Sequence, residues 1–392
     1  MTPSARVQAA IEILDLVIAA AGSGGAPADR IVSEWFRTRR FAGSRDRRAV
    51  RDLVYTAIRC CGEVPASGRA AMLRLAESDS SLSLLFDGSS YGPEPVKPGE
   101  TVAAGGIAPE WLEQRLARSE ITGEEAQALL ERAPLDIRVN ALKSGTASPP
   151  EGGEQIGIAS ALRYPHGTRI EDSEAFKAGA IEVQDAGSQL ACQAVSVSEG
   201  STVIDLCAGA GGKTLALAAR VGERGRVIAC DTDRSRLSRL APRAERAGAS
   251  AIIETRLLDP RREAEALADL RGCADAVLVD APCSGTGTWR RNPEARWRLS
   301  EGWLADTTGL QSRLLDVAAP LVKEGGALIY VTCSLLDEEG ADQIDSFLAR
   351  HEKWEAQALS PGFGTSRGKG LRLTPFRDGT DGFFIARLIR IC

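Results

Sequence analysis

The stretch "VIDLCAGAGGKTLALAA", Val203 to Ala219, decides the fold. It begins as the apolar run of a buried strand and ends as a helix rich in leucine and alanine. Between the two lies a glycine turn closed by Lys213. Three chemistries compete for such a turn. A P-loop, G-x-x-x-x-G-K-[ST], finds its end in Gly212, Lys213 and Thr214, but Cys207 stands where its first glycine belongs. The dinucleotide fingerprint G-x-G-x-x-G fits Gly209 and Gly211 but meets Thr214 in place of the third glycine. The third reading is an adenosyl cofactor site. The turn from Cys207 through Ala208, Gly209, Ala210, Gly211 and Gly212 to Lys213 then lets the backbone approach a ligand at the carboxyl end of the first strand. That reading calls for an acid at the end of the next strand to bind ribose hydroxyls, and Asp231 of "RVIACD" stands there. Asp259, in "RLLDP" after the third strand, is placed to meet the adenine edge. A merely tight strand-to-helix turn has no need of these acids.

Around this stretch the pattern repeats. "TVIDLCA", "RVIACD", "SAIIETRLL", "DAVLVDAP" and "GALIYVTCS" are apolar runs, each followed by a helical stretch. Such runs suit strands covered on both faces, so residues 191–392 read as an α/β domain with a doubly wound, Rossmann-like parallel sheet. "GFFIARLIRI" has no helix after it and is expected to lie antiparallel at the sheet edge. Residues 136–190 read as a small α+β connecting subdomain, with "LDIRVNAL" and "AIEVQD" as strands and "SGTASPPEGGE" as a loop. Residues 1–135 show helical periodicity throughout. "VQAAIEILDLVIAAAG" is apolar but is interrupted by Glu12 and Asp15, which fits an amphipathic core helix better than a targeting segment.

The 392 residues are 43% hydrophobic and 26% charged, with a formal net charge of −5. This is the composition of a globular protein of two or three domains, and it excludes a uniformly basic nucleic-acid coat but not a local basic patch. No run approaches the roughly 18 apolar residues of a membrane span. The nine cysteines are odd in number and form no CxxC pair, and only His166 and His351 accompany them. A zinc site and a disulfide framework are therefore not expected, and reduced thiols in a cytoplasmic, monomeric protein are.

Two cysteines stand apart from the rest. Cys192, Cys230 and Cys273 read as small buried hydrophobes. Cys283 in "VDAPCSGTGTWRRNPEARW" and Cys333 in "YVTCSLLDEEG" sit in polar, glycine- and serine-rich sequence where the fourth and fifth strands stop. If those strands are neighbours, roughly 5 Å apart, both thiols face one pocket at the carboxyl edge of the sheet. A thiolate is a strong nucleophile once a dipole, cation or base lowers its pKa.

"DLCAGAGGKT", "DAPCSGTG" with "RRNPEARW", and "TCS" together resemble the sequential motifs of the NOL1/NOP2/Sun family, S-adenosylmethionine-dependent RNA cytosine-5 methyltransferases. "VQDAGSQL" and "LTPFRDGTDGFFIARL" extend the likeness, which runs from about residue 136 to the C-terminus. One departure is Ala210, where the family commonly has proline. The resemblance implies S-adenosylmethionine as cofactor and Cys333 as the nucleophile that adds to carbon 6 of cytosine, with Cys283 assisting proton removal and release. By analogy with DNA cytosine-5 methyltransferases the Pro-Cys at Cys283 would attack instead. Asp280 is placed to hydrogen-bond the pairing edge of the base, and Lys213 to orient the pocket or Asp280.

The N-terminal part is more weakly similar to the NusB-like helical domain that precedes this core in RsmB-type enzymes, through "FRTRRFAGSRDRRAVRDLVYTAIR". Seven arginines fall between Arg37 and Arg51, against one acid, Asp46. Arg37, Arg39, Arg40, Arg45, Arg47 and Arg48 are thus expected to meet RNA phosphates, and Arg290, Arg291 and Arg296 to grip the backbone flanking a flipped base. Small-subunit rRNA is the leading target. A tRNA or large-subunit rRNA target, or a catalytically silent RNA-binding assembly factor, are the alternatives.

Overall fold

The computed structural model describes residues 1–360 and 362–391; Cys392 lies outside the described residues. The chain forms two compact units, Met1–Glu131 with Thr288–Glu301, and Arg132–Gly287 with Gly302 to the C-terminus.

The first unit is helical. Its main elements are α1 (Pro3–Ser23), α2 (Ala28–Arg37), α3 (Ser44–Cys60) and α4 (Gly68–Ser78). Thr2 caps α1 by accepting from the Ala5 N–H, Pro3 starts it, and Gly24 in the left-handed conformation ends it. Val7, Leu14 and Val17 of α1 pack with Val54 and Ile58 of α3 and Met72 of α4.

Thr288–Glu301 lies inside the stretch read from sequence as Rossmann-like, yet it packs among these helices. Trp297 joins their core. Glu294 accepts from the Ala28 N–H at 2.9 Å, placing an acid at the amino end of α2. Arg296 is fully buried, and its Nη2 donates to the Ile58 and Cys61 carbonyls at 2.7 Å each, closing the carboxyl end of α3. Burial lowers its pKa to about 10.

In the second unit, β1 (Leu135–Val139), β2 (Glu154–Gln155), β3 (Ala161–Tyr164) and β4 (Ile181–Val183) form an antiparallel sheet in the order β2-β3-β1-β4. The sequence reading missed β2 and β3, which are short and flanked by glycine and proline. The main sheet comprises β5 (Thr202–Asp205), β6 (Arg226–Asp231), β7 (Ile253–Leu257), β8 (Ala274–Asp280), β9 (Val322–Thr332), β10 (Trp354–Gln357), β11 (Thr365–Arg367), β12 (Gly370–Leu373) and β13 (Phe383–Arg390). Its order is β11-β12-β13-β9-β8-β5-β6-β7, with β10 also paired to β13. Strands β5 to β9 are parallel and β13 runs antiparallel to β9. β13 is not the edge expected from sequence, because β12 and β10 pair along its far side. Alternate residues serve opposite cores: Val203, Val227, Leu278 and Ile329 on one face, Ile204, Ile228, Val279 and Tyr330 on the other. Each such side chain, fully buried, contributes about 1.5–3 kcal/mol.

Arg296 ties the end of α3 to its own loop from inside the core. Arg296→Met should destabilise the helical unit by about 3–5 kcal/mol, because two buried carbonyls lose a charged donor. Denaturant unfolding checks this, and a change below about 1 kcal/mol would show the caps to be dispensable.

Candidate active site

The carboxyl ends of β5, β6, β8 and β9 open onto one edge of the main sheet, and the residues singled out from sequence gather there. The turn after β5 is shaped by its glycines. Gly209 and Gly211 have φ of 56° and 86°, and Gly211 is the N-cap of the helix Gly212–Val221. A Cβ on Gly211 would meet the Leu240 side chain at 2.1 Å, so this position needs glycine for space as well as for conformation. Ala210 does not take a positive φ, and its carbonyl accepts from Arg243 Nη1 at 2.6 Å.

Asp231 closes the turn from β6. Its Oδ2 accepts from the Gly209 N–H and its Oδ1 from the Asp233 N–H, both at 2.7 Å. Asp259 lies further out, largely exposed and 4.0 Å from Arg262. Burial, then Asp280, Asp205 and Asp231, push the Cys207 thiol well above the ordinary range, which leaves it an inert wall of the turn.

Lys213, at the start of the helix, donates to Asp280 Oδ2 at 2.8 Å. Burial works against its charge, but Asp280 and the neighbouring thiols Cys192 and Cys333 outweigh it, and the lysine pKa lies above the ordinary value. The ammonium also stands 5.5 Å from the centre of the Phe383 ring. Phe383 opens β13, whose next residue, Phe384, pairs with Thr332. The motif "LTPFRDGTDGFFIARL" is thereby brought to "GGKT", and Asp185 of "VQDAGSQL" accepts from the Asp381 N–H at 3.2 Å.

The two cysteines meet. Cys283 and Cys333 are half-buried, with their Sγ atoms 3.4 Å apart. Asp280 pairs with Val331 across parallel β8 and β9, so the strands end level and their turns begin side by side. Gly287 secures the arrangement. Its N–H donates to the Cys333 carbonyl at 2.9 Å and its carbonyl accepts from the Gly382 N–H at 2.8 Å, while a Cβ there would lie 2.2 Å from the Gly382 oxygen. The Cys333 contact, burial and the Glu339 charge together raise the Cys283 pKa well above the usual thiol range. The pairing makes the two cysteines one site.

Other sequence-named residues fall elsewhere. Arg296 and Arg290 are buried in the helical unit, and Arg291 is half-buried there. Arg296 is therefore a structural residue, not an open phosphate contact, because the tryptophans of its segment pull it into the core. Arg40, Arg45 and Arg48 are exposed, as is Arg51, one helical turn beyond Arg48 on α3. Arg37 pairs with Glu34, Arg39 lies over Trp35 with Glu12 at 3.5 Å, and Arg47 donates to the Ala42 carbonyl. The single acid of the cluster, Asp46, is taken by the N-terminal amine and Arg6. Cys192 and Cys230 are buried as expected, whereas Cys273 is exposed just before β8.

Sequence reasoning missed two groups. Asp205, the last residue of β5, is fully buried; its Oδ2 accepts from Thr214 Oγ1 at 2.7 Å, and its Oδ1 has no partner among the described residues. Burial first, then the nearby Asp280, raise its pKa to about 7. Ser284, Ser334, Gln311 and Glu339 form a buried polar cluster beneath the two cysteines. The one signal for it is that both cysteines are followed by serine.

A parallel sheet in the order β9-β8-β5-β6-β7 with β13 antiparallel beside β9, and ligand-facing residues at its carboxyl edge, defines a methyltransferase-type α/β fold. The solved structure of PH0851 matches across 99% of both chains with a TM-score of 0.75 and 26% identity. A methyltransferase homologue protein from Pyrococcus horikoshii covers 72% of this chain with all of its own, at a TM-score of 0.58 and 26% identity. The family model for the 16S rRNA methyltransferases RsmB/F matches residues 192–389. Ribosomal RNA small subunit methyltransferase B of Citrobacter koseri is 34% identical over 294 residues, 72% of this chain and 67% of that protein. The chain belongs to the RsmB/F family of S-adenosylmethionine-dependent rRNA methyltransferases.

Asp205 binds its proton more tightly in the folded chain (pKa about 7) than in the unfolded one (ordinary value 3.8). Its contribution to stability is therefore full below about pH 4 and is lost as pH rises to about 7. Asp205→Asn, with Thr214 still donating to the amide oxygen, should remove up to roughly 4 kcal/mol of this loss. Melting temperatures from pH 5 to 8 should then fall less steeply than in the wild type; an identical slope would contradict the assignment.

Proposed function

We propose that the chain methylates carbon 5 of a cytosine in 16S rRNA through a transient bond between Cys333 and carbon 6 of the base. The observation that carries this reading is the 3.4 Å approach of Cys283 and Cys333 beside the Lys213–Asp280 pair. A pyrimidine laid against that edge meets two thiols at its 5,6 bond and a carboxylate at its pairing edge.

S-Adenosylmethionine fits the turn after β5. The positive-φ glycines allow a close ligand, Asp231 stands where ribose hydroxyls are read, and the acids Asp231 and Asp280 suit a cationic sulfonium. When bound, the donor supplies an electrophilic methyl group. Cys333 adds to carbon 6 as a thiolate, breaking the conjugation and moving electron density to carbon 5, which takes the methyl. Cys283, its own proton first released to solvent, then takes the carbon 5 proton as a thiolate, the double bond re-forms, and Cys333 leaves as a thiolate. The raised pKa of Cys283 supports this division: less of it is ionised for attack, and its thiolate, once formed, is the stronger base. Asp280 holds the exocyclic amine and N3 edge, and Lys213 holds Asp280.

RNA contact falls to the arginines of the helical unit. Arg45, Arg48 and Arg51 are spaced at three residues on α3 and exposed, and the one acid of their cluster, Asp46, is engaged elsewhere.

Two measurements test the reading. With 16S rRNA, Cys283→Ala should accumulate a covalent protein–RNA adduct on denaturing gels while turnover falls by at least about 100-fold. Cys333→Ala should form no adduct; the reverse pattern exchanges the two roles. Replacing Arg45, Arg48 and Arg51 by Gln should weaken RNA binding and reduce the slope of log affinity against log salt by about 0.7–0.9 for each phosphate no longer neutralised. A salt titration giving an unchanged slope would remove α3 from the RNA interface.

A further inference from the structure

Beneath the two thiols lies a carboxylate that the mechanism above does not use. Glu339 is fully buried, in the turn Asp337–Glu339 that follows β9. Its charge is held by neutral donors. Oε1 accepts from the Ser284 N–H at 2.8 Å and from Gln311 Nε2 at 3.0 Å, and Oε2 accepts from Ser284 Oγ. Gln311 Nε2 also donates to the Pro282 carbonyl at 2.8 Å. The residues on both sides of Cys283 are thus tied, directly or through one amide, to one carboxylate. The other thiol is tied to the same residue. The Glu339 carbonyl accepts from Tyr330 Oη at 2.9 Å and Thr332 Oγ1 at 3.3 Å, and Thr332 immediately precedes Cys333. Ser284 Oγ lies 3.1 Å from Ser334 Oγ, one residue after Cys333, and Ser334 Oγ lies 3.1 Å from Thr286 Oγ1.

We propose that Glu339 is a positioning residue that clamps the turn Pro282–Ser284 to the turn around Cys333 and so fixes how the two thiols address one base. The idea rests on the reading that both thiols serve a single cytosine. A buried carboxylate is costly to desolvate, and a carboxylate held only by neutral groups offsets that cost through short hydrogen bonds to rigid donors. A hydrophobic residue of the same volume would pack the space without linking the turns. The charge also acts on the chemistry: it lies close to Cys283 and disfavours a second thiolate there during attack, which leaves Cys333 to attack and makes the Cys283 thiolate, once its own proton has gone to solvent, the stronger base for the carbon 5 proton.

Glu339→Gln separates charge from shape, keeping the size and one acceptor oxygen. Gln311→Met breaks the link to Pro282 while leaving Glu339 in place, and it serves as the second variant should the first fail to fold. In the full chain, iodoacetamide alkylation of each cysteine, followed by peptide mass spectrometry, reads thiol reactivity without any RNA. Cys283 should alkylate several-fold faster in Glu339→Gln than in the wild type. On a 16S rRNA transcript, kcat should fall about tenfold or more while KM for RNA stays unchanged, with Gln311→Met shifting kcat in the same direction by less. Wild-type alkylation and wild-type kcat in both variants would overturn the clamp. A wild type that transfers no methyl group, while Cys283 alkylation still responds to Glu339→Gln, would instead overturn the cytosine reading and support the clamp.

Discussion

Everything at the active edge depends on two parallel strands ending level. β8 and β9 pair with Asp280 opposite Val331, so the chain leaves both strands at the same height and the next few residues of each run side by side. Parallel neighbours lie about 4.8 Å apart, which leaves only a small gap for two thiols to close. An antiparallel pair would set the end of one strand beside the beginning of the other. β13 uses that geometry: running against β9, it delivers its first residue, Phe383, to the same edge and places an aromatic ring near Lys213. Parallel strands thus bring the two thiols together, and the antiparallel one supplies a wall from the far end of the sequence.

The edge requires buried polar groups. Asp205 keeps an oxygen without a partner among the described residues, Lys213 is charged among carboxylates and thiols, and Glu339 is ionisable at zero exposure. None of these helps the core pack, and the buried carboxyls Asp205 and Glu339 raise the cost of folding, while Lys213 is held charged by Asp280. The alternating apolar faces of the sheet offset that cost, since Val203, Ile204, Val277, Leu278, Leu328 and Ile329 are all fully buried. Stability is gathered in the middle of the strands and given up at their carboxyl ends.

This division also governs how much could be read from sequence. Four of the five parallel strands were legible because their central positions are apolar on both covered faces, whereas the edge strand β7, "IETRL", was read from the apolar residues that flank its half-exposed centre. β13 was legible as a strand but not as an interior one, since the strands beyond it are short and "TSR" or "WEAQ" carry no strong apolar signal. The helical nature of the N-terminal unit was legible from periodicity, whereas the place of Thr288–Glu301 was not, because a capping contact such as Arg296 to Ile58 links residues far apart in the chain. At the site, Asp231, Asp280, Cys283 and Cys333 stood out because each lies at or just past the end of a strand. Glu339 did not: nothing in "LDEEG" separates its last acid from Asp337 and Glu338 beside it, and only the fold shows that it is buried under the cysteines.

The two cysteines show why residue type and motif do not by themselves assign roles. Each follows a strand, each is followed by serine, and each is half-buried. A thiol pair 3.4 Å apart cannot comfortably hold two negative charges, so whichever sulfur ionises first suppresses the other. The asymmetry that breaks the tie comes from outside the pair. The Glu339 carboxylate bonds to the residue after Cys283 but touches the Cys333 strand only through its main-chain carbonyl. Charge is therefore concentrated under one thiol and geometry under both, and the asymmetry between the two sulfurs comes from a turn that carries neither.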